Sequence, residues 1–209
     1  MNITFGKYRG KSISDIIKID NQYSHWIITQ PWFSIKHREL YNYFLEELNK
    51  EKKEEIDTNE CFIIYTDGAC RNNGSSNARA GIGVHYSSKN ETKLKDVSEK
   101  LICDKPTNNK AELTAILRAL KECYNNKIKQ KIIIYTDSDY SIKCITLWYP
   151  EWIKSSTKNR KNIDILNEIY EIYQYLDVRF IHIRSHTGLT DEHSIGNSIA
   201  DNLATSCIV

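Results

Sequence analysis

The chain has 209 residues, of which 40% are hydrophobic and 27% are charged, and its formal net charge is +2. This composition is typical of a folded globular protein and argues against a disordered chain. The apolar runs are much shorter than the roughly 20 residues that cross a bilayer, and no signal-peptide pattern opens the sequence. A net charge this small permits a nucleic-acid partner without arguing for one.

The cysteines indicate a reducing compartment. Six are scattered along the chain, without the spacing of a zinc site, at positions 61, 70, 103, 123, 144 and 207. Reduced thiols are the expected state, so we expect an intracellular protein, cytoplasmic or nuclear, that is not secreted and has no membrane partner. We also expect a monomer without an obligate protein partner.

Residues 1–48 predict a small, mostly helical module. A basic turn flanked by glycines occupies residues 5–11 (FGKYRGK). Ser12 and Asp15 then have the spacing of a capping box that opens a helix, and a second helix is predicted over 35–48.

The aromatic side chains of this module have two interpretations. A module this small buries little surface, so its core should use its aromatic residues, which are Tyr23, Trp26, Trp32 and Phe33. Alternatively, one or two of them stay exposed and stack on nucleic-acid bases while nearby cations contact phosphates. The candidate cations are Lys7, Arg9 and Lys11.

A charged segment over residues 49–59 predicts a linker, so we expect a module at 1–48 and a larger domain at 60–209. In that domain the strand and helix patterns alternate. Strands are predicted at 62–65, 78–87, 92–102, 131–136 and 178–185, and helices at 108–126, from the end of the fourth strand to Leu147, at 161–176 and at 194–207. The order βββαβααβα predicts an α/β fold, a mixed five-stranded sheet with helices on both faces.

Two strands of this sheet end on the same sequence, IIYTD, at residues 63–67 and 133–137. The carboxyl ends of parallel strands meet at one edge of a sheet, so Asp67 and Asp137 should lie side by side if the strands are neighbours. Glu112 shares the core-facing stripe of its helix, and Asp201 borders the apolar stripe of the last helix.

Converging carboxylates favour a metal site. Like charges packed together take up protons unless cations hold them ionised, and ligands that are all oxygen suit Mg²⁺ or Mn²⁺. Two such ions could act on a phosphodiester. For Asp67 or Asp137 taken alone, a helix cap or a salt bridge to a lysine explains the acid equally well.

Five segments resemble, in order, the motif set of type 1 ribonuclease H: YTDGACRNNG (65–74), TNNKAEL (107–113), YTDS (135–138), SHTG (185–188) and GNSIADNLA (196–204). The resemblance covers about residues 60–209. It implies the ribonuclease H-like fold and an endonuclease that hydrolyses the RNA strand of RNA–DNA hybrids, leaving 5′-phosphate and 3′-hydroxyl ends. It also implies two Mg²⁺ ions, with Mn²⁺ as an alternative, on Asp67, Glu112, Asp137 and Asp201.

The same resemblance implies further site residues. His186 corresponds to a mobile histidine that assists product release or proton transfer. Asn73, Asn108 and Asn109 match positions that contact the 2′-hydroxyls of RNA, although Asn-Gly at 73–74 is also a turn signal. Tyr140, Trp148 and Trp152 match a groove for the DNA strand, with core packing as the alternative for Trp148. Lys105, Thr107 and Asn162 match a DNA phosphate pocket.

Several features depart from the family pattern. The segment LTDEHSI (189–195) is longer than usual, Ser198 replaces an acid, and the basic run 154–161 is short. The other histidines match no motif, and we expect no catalytic role for His25, His37, His85, His182 and His193. The N-terminal FGKYRGK resembles small modules appended to exonuclease X-like proteins.

Two other functions are consistent with this fold. A non-catalytic hybrid-binding protein would not need four acids, and all four are intact. A DNA nuclease of the integrase or resolvase kind would not need the asparagines that suit RNA.

Overall fold

The computed structural model describes residues 2–53, 60–185 and 190–208, without the side chains of 18, 21, 22 and 49–53. The chain divides into two compact units, Met1–Ile56 and Asp57–Val209. We call them the N-terminal unit and the C-terminal unit. Among the described residues, no helix combines the length and the apolar character needed to cross a membrane.

In its described residues, 2–53, the N-terminal unit is a turn followed by four helices. These are α1 (Ile13–Ile19), α2 (Asn21–Ile28), α3 (Pro31–Lys36) and α4 (Arg38–Lys53). The N-cap of the predicted capping box is confirmed, because the Ser12 hydroxyl accepts from the Asp15 N–H at 3.1 Å; the Asp15 carboxylate accepts from that same hydroxyl at 2.6 Å. The helix predicted over 35–48 is two helices with a break at His37, and it continues into the first residues of the predicted linker.

Aliphatic side chains fill most of this unit's core. The buried residues are Ile3, Ile13, Ile16, Ile17, Ile27, Phe33, Leu40, Phe44 and Leu48. Phe33 lies among them as predicted, and Tyr23 packs at the edge. For Trp26 and Trp32 the prediction of core packing is wrong, since they are 50% and 39% exposed. The isoleucines take the interior positions that the prediction gave to the indoles.

The C-terminal unit is built on one mixed sheet. Its strands are β1 (Phe62–Arg71), β2 (Arg79–Tyr86), β3 (Val97–Leu101), β4 (Ile132–Thr136) and β5 (Val178–His182), in the order β3-β2-β1-β4-β5. β1 pairs antiparallel with β2 and parallel with β4, and β4 pairs parallel with β5. The two IIYTD strands are therefore neighbours, with Tyr65 opposite Tyr135. The predicted α/β fold with a mixed five-stranded sheet is confirmed.

The helices of this unit are α5 (Asn108–Asn125), α6 (Asp139–Lys143), α7 (Tyr149–Ser155), α8 (Ile163–Tyr173) and α9 (Glu192–Ser206). Between α6 and α7 the chain forms one π-helical segment, Cys144–Trp148. The sequence predicted a continuous helix up to Leu147 in this region. It also predicted that β1 ends before Asp67. β1 extends beyond Asp67 because its pairing with β2 continues to Arg71.

Two glycines allow helices to contact the sheet backbone. A Cβ at Gly68 would lie 2.1 Å from the backbone nitrogen of Glu112 in α5. A Cβ at Gly83 would lie 2.0 Å from the carbonyl oxygen of Ala200 in α9. Because neighbouring side chains alternate along a strand and Gly83 lies opposite Asp67, α9 covers the Asp67 face and α5 the Gly68 face.

The six cysteines are all in described residues, and none forms a disulfide.

Gly68→Ala should destabilise the C-terminal unit by more than about 3 kcal/mol, because the added methyl group meets helix backbone that cannot rotate away. Gly74→Ala is the control. Gly74 has a φ of 85° and open space around its Cβ position, so only backbone strain of about 1–2 kcal/mol is expected. Urea unfolding measures both, and equal losses would contradict the close approach of α5.

Candidate active site

Asp67 lies in β1 and is the most buried of the four predicted metal ligands, with 8% exposure. Its Oδ1 accepts a hydrogen bond of 2.7 Å from the Gly68 N–H. Burial is the largest cause of a rise in the pKa of Asp67 to about 8. Three carboxylates add to that rise: Asp137, Asp201 and Glu112. The structure therefore brings the other three predicted acids within electrostatic reach of Asp67.

Glu112 is held by two hydrogen bonds. It lies in the second turn of α5, where its Oε1 accepts from Asn108 Nδ2 at 2.7 Å and its Oε2 accepts from the Ser138 hydroxyl. Burial raises the pKa of Glu112, and the charge of Asp137 adds to the rise, whereas these two hydrogen bonds oppose it. Both oxygens are therefore oriented by neighbouring side chains.

Asp137 and Asp201 reach the site from different elements. Asp137 follows β4 directly, and its backbone carbonyl lies 3.1 Å from Nε2 of His182 at the end of β5. Asp201 lies in α9, the helix that covers the Asp67 face of the sheet. Both side chains are partly exposed, so the cluster has a buried side at Asp67 and an open side.

The cluster has the chemistry of a site for hard cations. Its donors are carboxylate oxygens, which suit Mg²⁺ or Mn²⁺, and burial together with the charges of neighbouring acids raises the pKa of Asp67 and of Glu112. Within residues 2–53, 60–185 and 190–208, however, no three acidic, His or Cys side chains are arranged so that they could hold one ion together. The hydrogen bonds of Asn108 and Ser138 account for the orientation of Glu112 in this arrangement.

The asparagines predicted to contact RNA lie where β1 and α5 meet. Asn73 and Gly74 form a turn closed by the Ser75 N–H to the Asn72 carbonyl at 3.0 Å, as the Asn-Gly signal predicted. Asn73 Oδ1 accepts from the backbone N–H of Asn108 at 3.4 Å. The turn is thereby tied to the first residue of α5.

Asn109 is exposed in the first turn of α5, and its side chain lies near the phenol of Tyr140. Tyr140 accepts from Asn162 Nδ2 at 3.3 Å. This hydrogen bond joins α6 to the residue that precedes α8.

The aromatic residues predicted to line a DNA groove are together. Trp148 and Trp152 stack with ring centroids 6.2 Å apart, and Tyr140 meets Trp148 edge-on at 5.9 Å. Trp148 is 38% exposed, so it is not a core residue. The guanidinium of Arg160 lies 4.9 Å from the Trp152 ring centroid, which adds a cation from the basic run.

The residues predicted to form a phosphate pocket lie on two loops. Lys105 is exposed before α5, and Thr107 caps that helix by accepting from the Lys110 N–H at 3.2 Å. Asn162 precedes α8 with a φ of 57°, a left-handed conformation that asparagine tolerates. His186 lies outside the described residues.

The sequence analysis gave no role to His193, which joins the two IIYTD strands to α9. Its ring stacks on Tyr135 with centroids 4.1 Å apart. The Tyr65 hydroxyl lies 3.1 Å from Nδ1, and the Tyr135 hydroxyl lies 3.3 Å from Nε2. The register places the two tyrosines side by side on the face of the sheet that carries Asp67, but no local sequence pattern indicates that His193 contacts them.

Ser138 was also missed as a residue that orients a ligand. Its hydroxyl accepts from the Ser141 N–H at 3.1 Å as the N-cap of α6 and donates to Glu112. A serine directly before a short helix signals a cap. The contact with Glu112 depends on tertiary structure and has no local signal.

Family models match both units. The RNase H model matches residues 59–208. The exodeoxyribonuclease X-like C-terminal model matches residues 3–30, a short match, so the relationship of the N-terminal unit to that family stays a prediction.

Curated relatives match the C-terminal unit. Mouse ribonuclease H1 is 35% identical over 150 residues, which are 69% of this chain and 49% of that protein. Ribonuclease H of Orientia tsutsugamushi is 38% identical over 148 residues, 68% of this chain and 79% of that protein. The chain spans about half the length of the mammalian ribonuclease H1 proteins that it matches.

A solved structure agrees with these relatives. The PFV RNase H domain superposes with a TM-score of 0.58 and 27% identity, covering 70% of this chain and 93% of that domain. The sheet order, the three acids around Asp67 and the family match over 59–208 agree, and the chain belongs to the RNase H family.

Proposed function

We propose that the C-terminal unit is an endonuclease that hydrolyses the RNA strand of RNA–DNA hybrids and leaves 5′-phosphate and 3′-hydroxyl ends. The observation that carries the proposal is the cluster around Asp67, whose pKa is raised to about 8 by burial and by three other carboxylates. A cluster of buried carboxylates destabilises a fold unless bound cations neutralise its charge, so its presence indicates a functional site. Matched relatives that bear the name ribonuclease H support the same conclusion.

The four acids would hold two divalent cations, Mg²⁺ or alternatively Mn²⁺: Asp67, Glu112, Asp137 and Asp201. Bound cations would stabilise the negative charge that develops on the phosphodiester during hydrolysis. Asp67, protonated near neutral pH in the absence of metal, has to lose its proton when a cation binds. Asn108 and Ser138 orient the Glu112 carboxylate.

Selection of RNA would come from amides near the cluster. Asn73, Asn108 and Asn109 would contact 2′-hydroxyls, which both donate and accept hydrogen bonds. The Asn108 amide nitrogen already donates to Glu112. A contact of the same amide with RNA would therefore also hold Glu112, a proposed metal ligand, in position. His186 would assist product release, as the family motif implies.

The DNA strand would lie along the aromatic groove. Tyr140, Trp148 and Trp152 offer ring faces and edges, and Arg160 adds a cation beside Trp152. Lys105, Thr107 and Asn162 would hold a DNA phosphate. We expect the enzyme to act as an intracellular monomer.

A duplex panel tests the proposal. Labelled RNA–DNA, RNA–RNA and DNA–DNA duplexes are incubated with Mg²⁺, Mn²⁺ or EDTA. We expect cleavage of the RNA strand of the hybrid alone, and only with metal. Cleavage of DNA would favour the DNA nuclease, and metal-independent hybrid binding without cleavage would favour the binding protein.

Asp137→Asn should reduce cleavage of the hybrid to less than about a tenth of the wild-type rate with saturating Mg²⁺, because one ligand loses its charge. The fold should persist, since removal of a negative charge relieves repulsion on Asp67. Asp139→Asn is the matched control two residues away, where the exposed carboxylate pairs with Lys143. Circular dichroism checks folding, and equal activity of the two variants would contradict the assignment.

Asp67→Asn should change the pH dependence of stability in EDTA. The pKa of Asp67 is raised to about 8 from 3.8, so the folded state binds a proton that the unfolded state has lost between these values. Wild-type stability should therefore fall as pH rises from about 4 to 8, and this loss should be complete above 8.

The amide that replaces the Asp67 carboxyl in this variant has no proton to lose, so the variant's stability should not show that fall. At pH 9 we expect the variant to be more stable than wild type by more than about 1.4 kcal/mol, the equivalent of one pKa unit. Near pH 4 the two should be similar. Urea unfolding at several pH values measures this, and parallel pH profiles would rule out the raised pKa.

Ser138→Ala should raise the Mg²⁺ concentration for half-maximal cleavage about tenfold, because Glu112 loses the donor that orients Oε2. Ser138→Thr keeps the hydroxyl and should restore the wild-type value. Ser12→Ala, which removes the N-cap hydroxyl of α1 and no contact with Glu112, is the control. A change in stability alone, with an unaltered Mg²⁺ dependence, would make Ser138 a helix cap only.

A further inference from the structure

The N-terminal unit presents a rigid basic turn. The backbone of residues 3–11 is closed by Ile3 N–H to the Lys11 carbonyl at 3.0 Å and by Gly10 N–H to the Ile3 carbonyl at 2.7 Å. Gly6 and Gly10 have φ values of 67° and 85°, which the turn requires and which glycine adopts without strain. The cations of this turn are therefore held on a fixed backbone.

Lys7 is held by partners within the unit. Its ammonium lies 2.9 Å from the Asp20 carboxylate and 4.7 Å from the Tyr8 ring centroid. Asp20 also accepts from the Tyr8 hydroxyl at 2.6 Å and from the Tyr23 N–H at 2.9 Å. These hydrogen bonds, the Tyr8 one first, lower the pKa of Asp20 to about 2. The acid beside the turn is thus committed to internal contacts.

Arg9 and Lys11 are exposed, and among the described residues neither forms an ion pair with an acid. They stand two residues apart on the fixed turn, so together they can bind negative charge without first losing an internal partner. Exposed cations like these bind phosphates with an affinity that falls as the salt concentration rises.

An aromatic row runs beside the same turn. Tyr8 meets Tyr23 edge-on with centroids 4.9 Å apart, and Tyr23 lies 5.7 Å from Trp26. Trp26 rests on Tyr23, yet half of it is exposed. Trp26 is not among the residues that form the core of the unit, so core packing does not explain why an indole stands at this position. The ammonium of Lys7 lies 5.4 Å from the Tyr23 ring centroid, so the row adjoins the turn that carries Arg9 and Lys11. A surface that combines an exposed ring with cations can stack on a base and neutralise the phosphates beside it.

We infer that this turn surface, made of Tyr8, Arg9, Lys11, Tyr23 and Trp26, binds single-stranded nucleic acid. Arg9 and Lys11 contact successive phosphates, and Trp26 stacks on a base. A duplex keeps its bases paired and stacked, and an acidic peptide offers charge without a ring, so the combination of free cations and an open indole fits a single strand best. The inference concerns binding alone and does not depend on the chemistry of the C-terminal unit.

The full-length chain in EDTA tests the cations, with a fluorescently labelled 20-nucleotide oligothymidylate followed by anisotropy at several salt concentrations. Arg9→Ala/Lys11→Ala should weaken binding about tenfold or more and lower the slope of log affinity against log salt by about 1.4, roughly 0.7 for each phosphate contact. Lys36→Ala/Arg38→Ala is the matched control, with the same residue types and spacing on the same unit. It should change neither quantity.

The same assay tests the indole. Trp26→Leu keeps an apolar contact for Tyr23 but removes the ring face, so affinity should fall about tenfold with an unchanged salt slope. Trp32→Leu, at the other half-exposed indole of the unit, should leave affinity unaltered. The inference is overturned if Arg9→Ala/Lys11→Ala binds the oligothymidylate as tightly as the control Lys36→Ala/Arg38→Ala. It is also overturned if Trp26→Leu binds as tightly as wild type. Tighter binding to polyglutamate than to oligothymidylate would instead assign the surface to an acidic protein.

Discussion

The C-terminal unit depends on the absence of side chains at two positions of its central strands. Gly68 lets the backbone of α5 come against β1, and Gly83 lets α9 come against β2 directly opposite Asp67. These contacts bring Glu112 and Asp201 close to Asp67, just beyond the point where the parallel pairing of β1 with β4 ends. A methyl group at either glycine would push a helix, and a ligand with it, away from the cluster. The geometry of the acids therefore follows from how closely helices and sheet can pack.

The assembled cluster works against the stability of the fold. Asp67 is almost fully buried beside other acids, and its pKa rises to about 8 as a result. Neighbouring residues offset part of this repulsion, because Asn108 and Ser138 donate to Glu112 and the Gly68 N–H donates to Asp67. Buried acids maintained against this cost are typical of functional sites. A cation would replace the proton on Asp67 and remove the repulsion.

Much of the C-terminal unit was predictable because local patterns and register agree with the final structure. The repeated IIYTD predicted that Asp67 and Asp137 would lie side by side if the two strands were neighbours, and the parallel register with Tyr65 opposite Tyr135 confirms that they are neighbours. The contact of His193 with both tyrosines was not predicted, since it depends on where a long loop returns to the sheet. In the N-terminal unit, hydrophobicity alone did not distinguish an indole in the core from the half-exposed Trp26.

Proton release on metal binding tests the central claim, that mutually repelling carboxylates await a cation. Calorimetric titration of the full-length chain with Mn²⁺ in two buffers of different ionisation enthalpy gives the number of protons released. Because the pKa of Asp67 is raised to about 8, binding at pH 7 should release about one proton per chain, and almost none at pH 9.5. Binding at pH 7 without proton release, or no binding of Mn²⁺, would contradict the account.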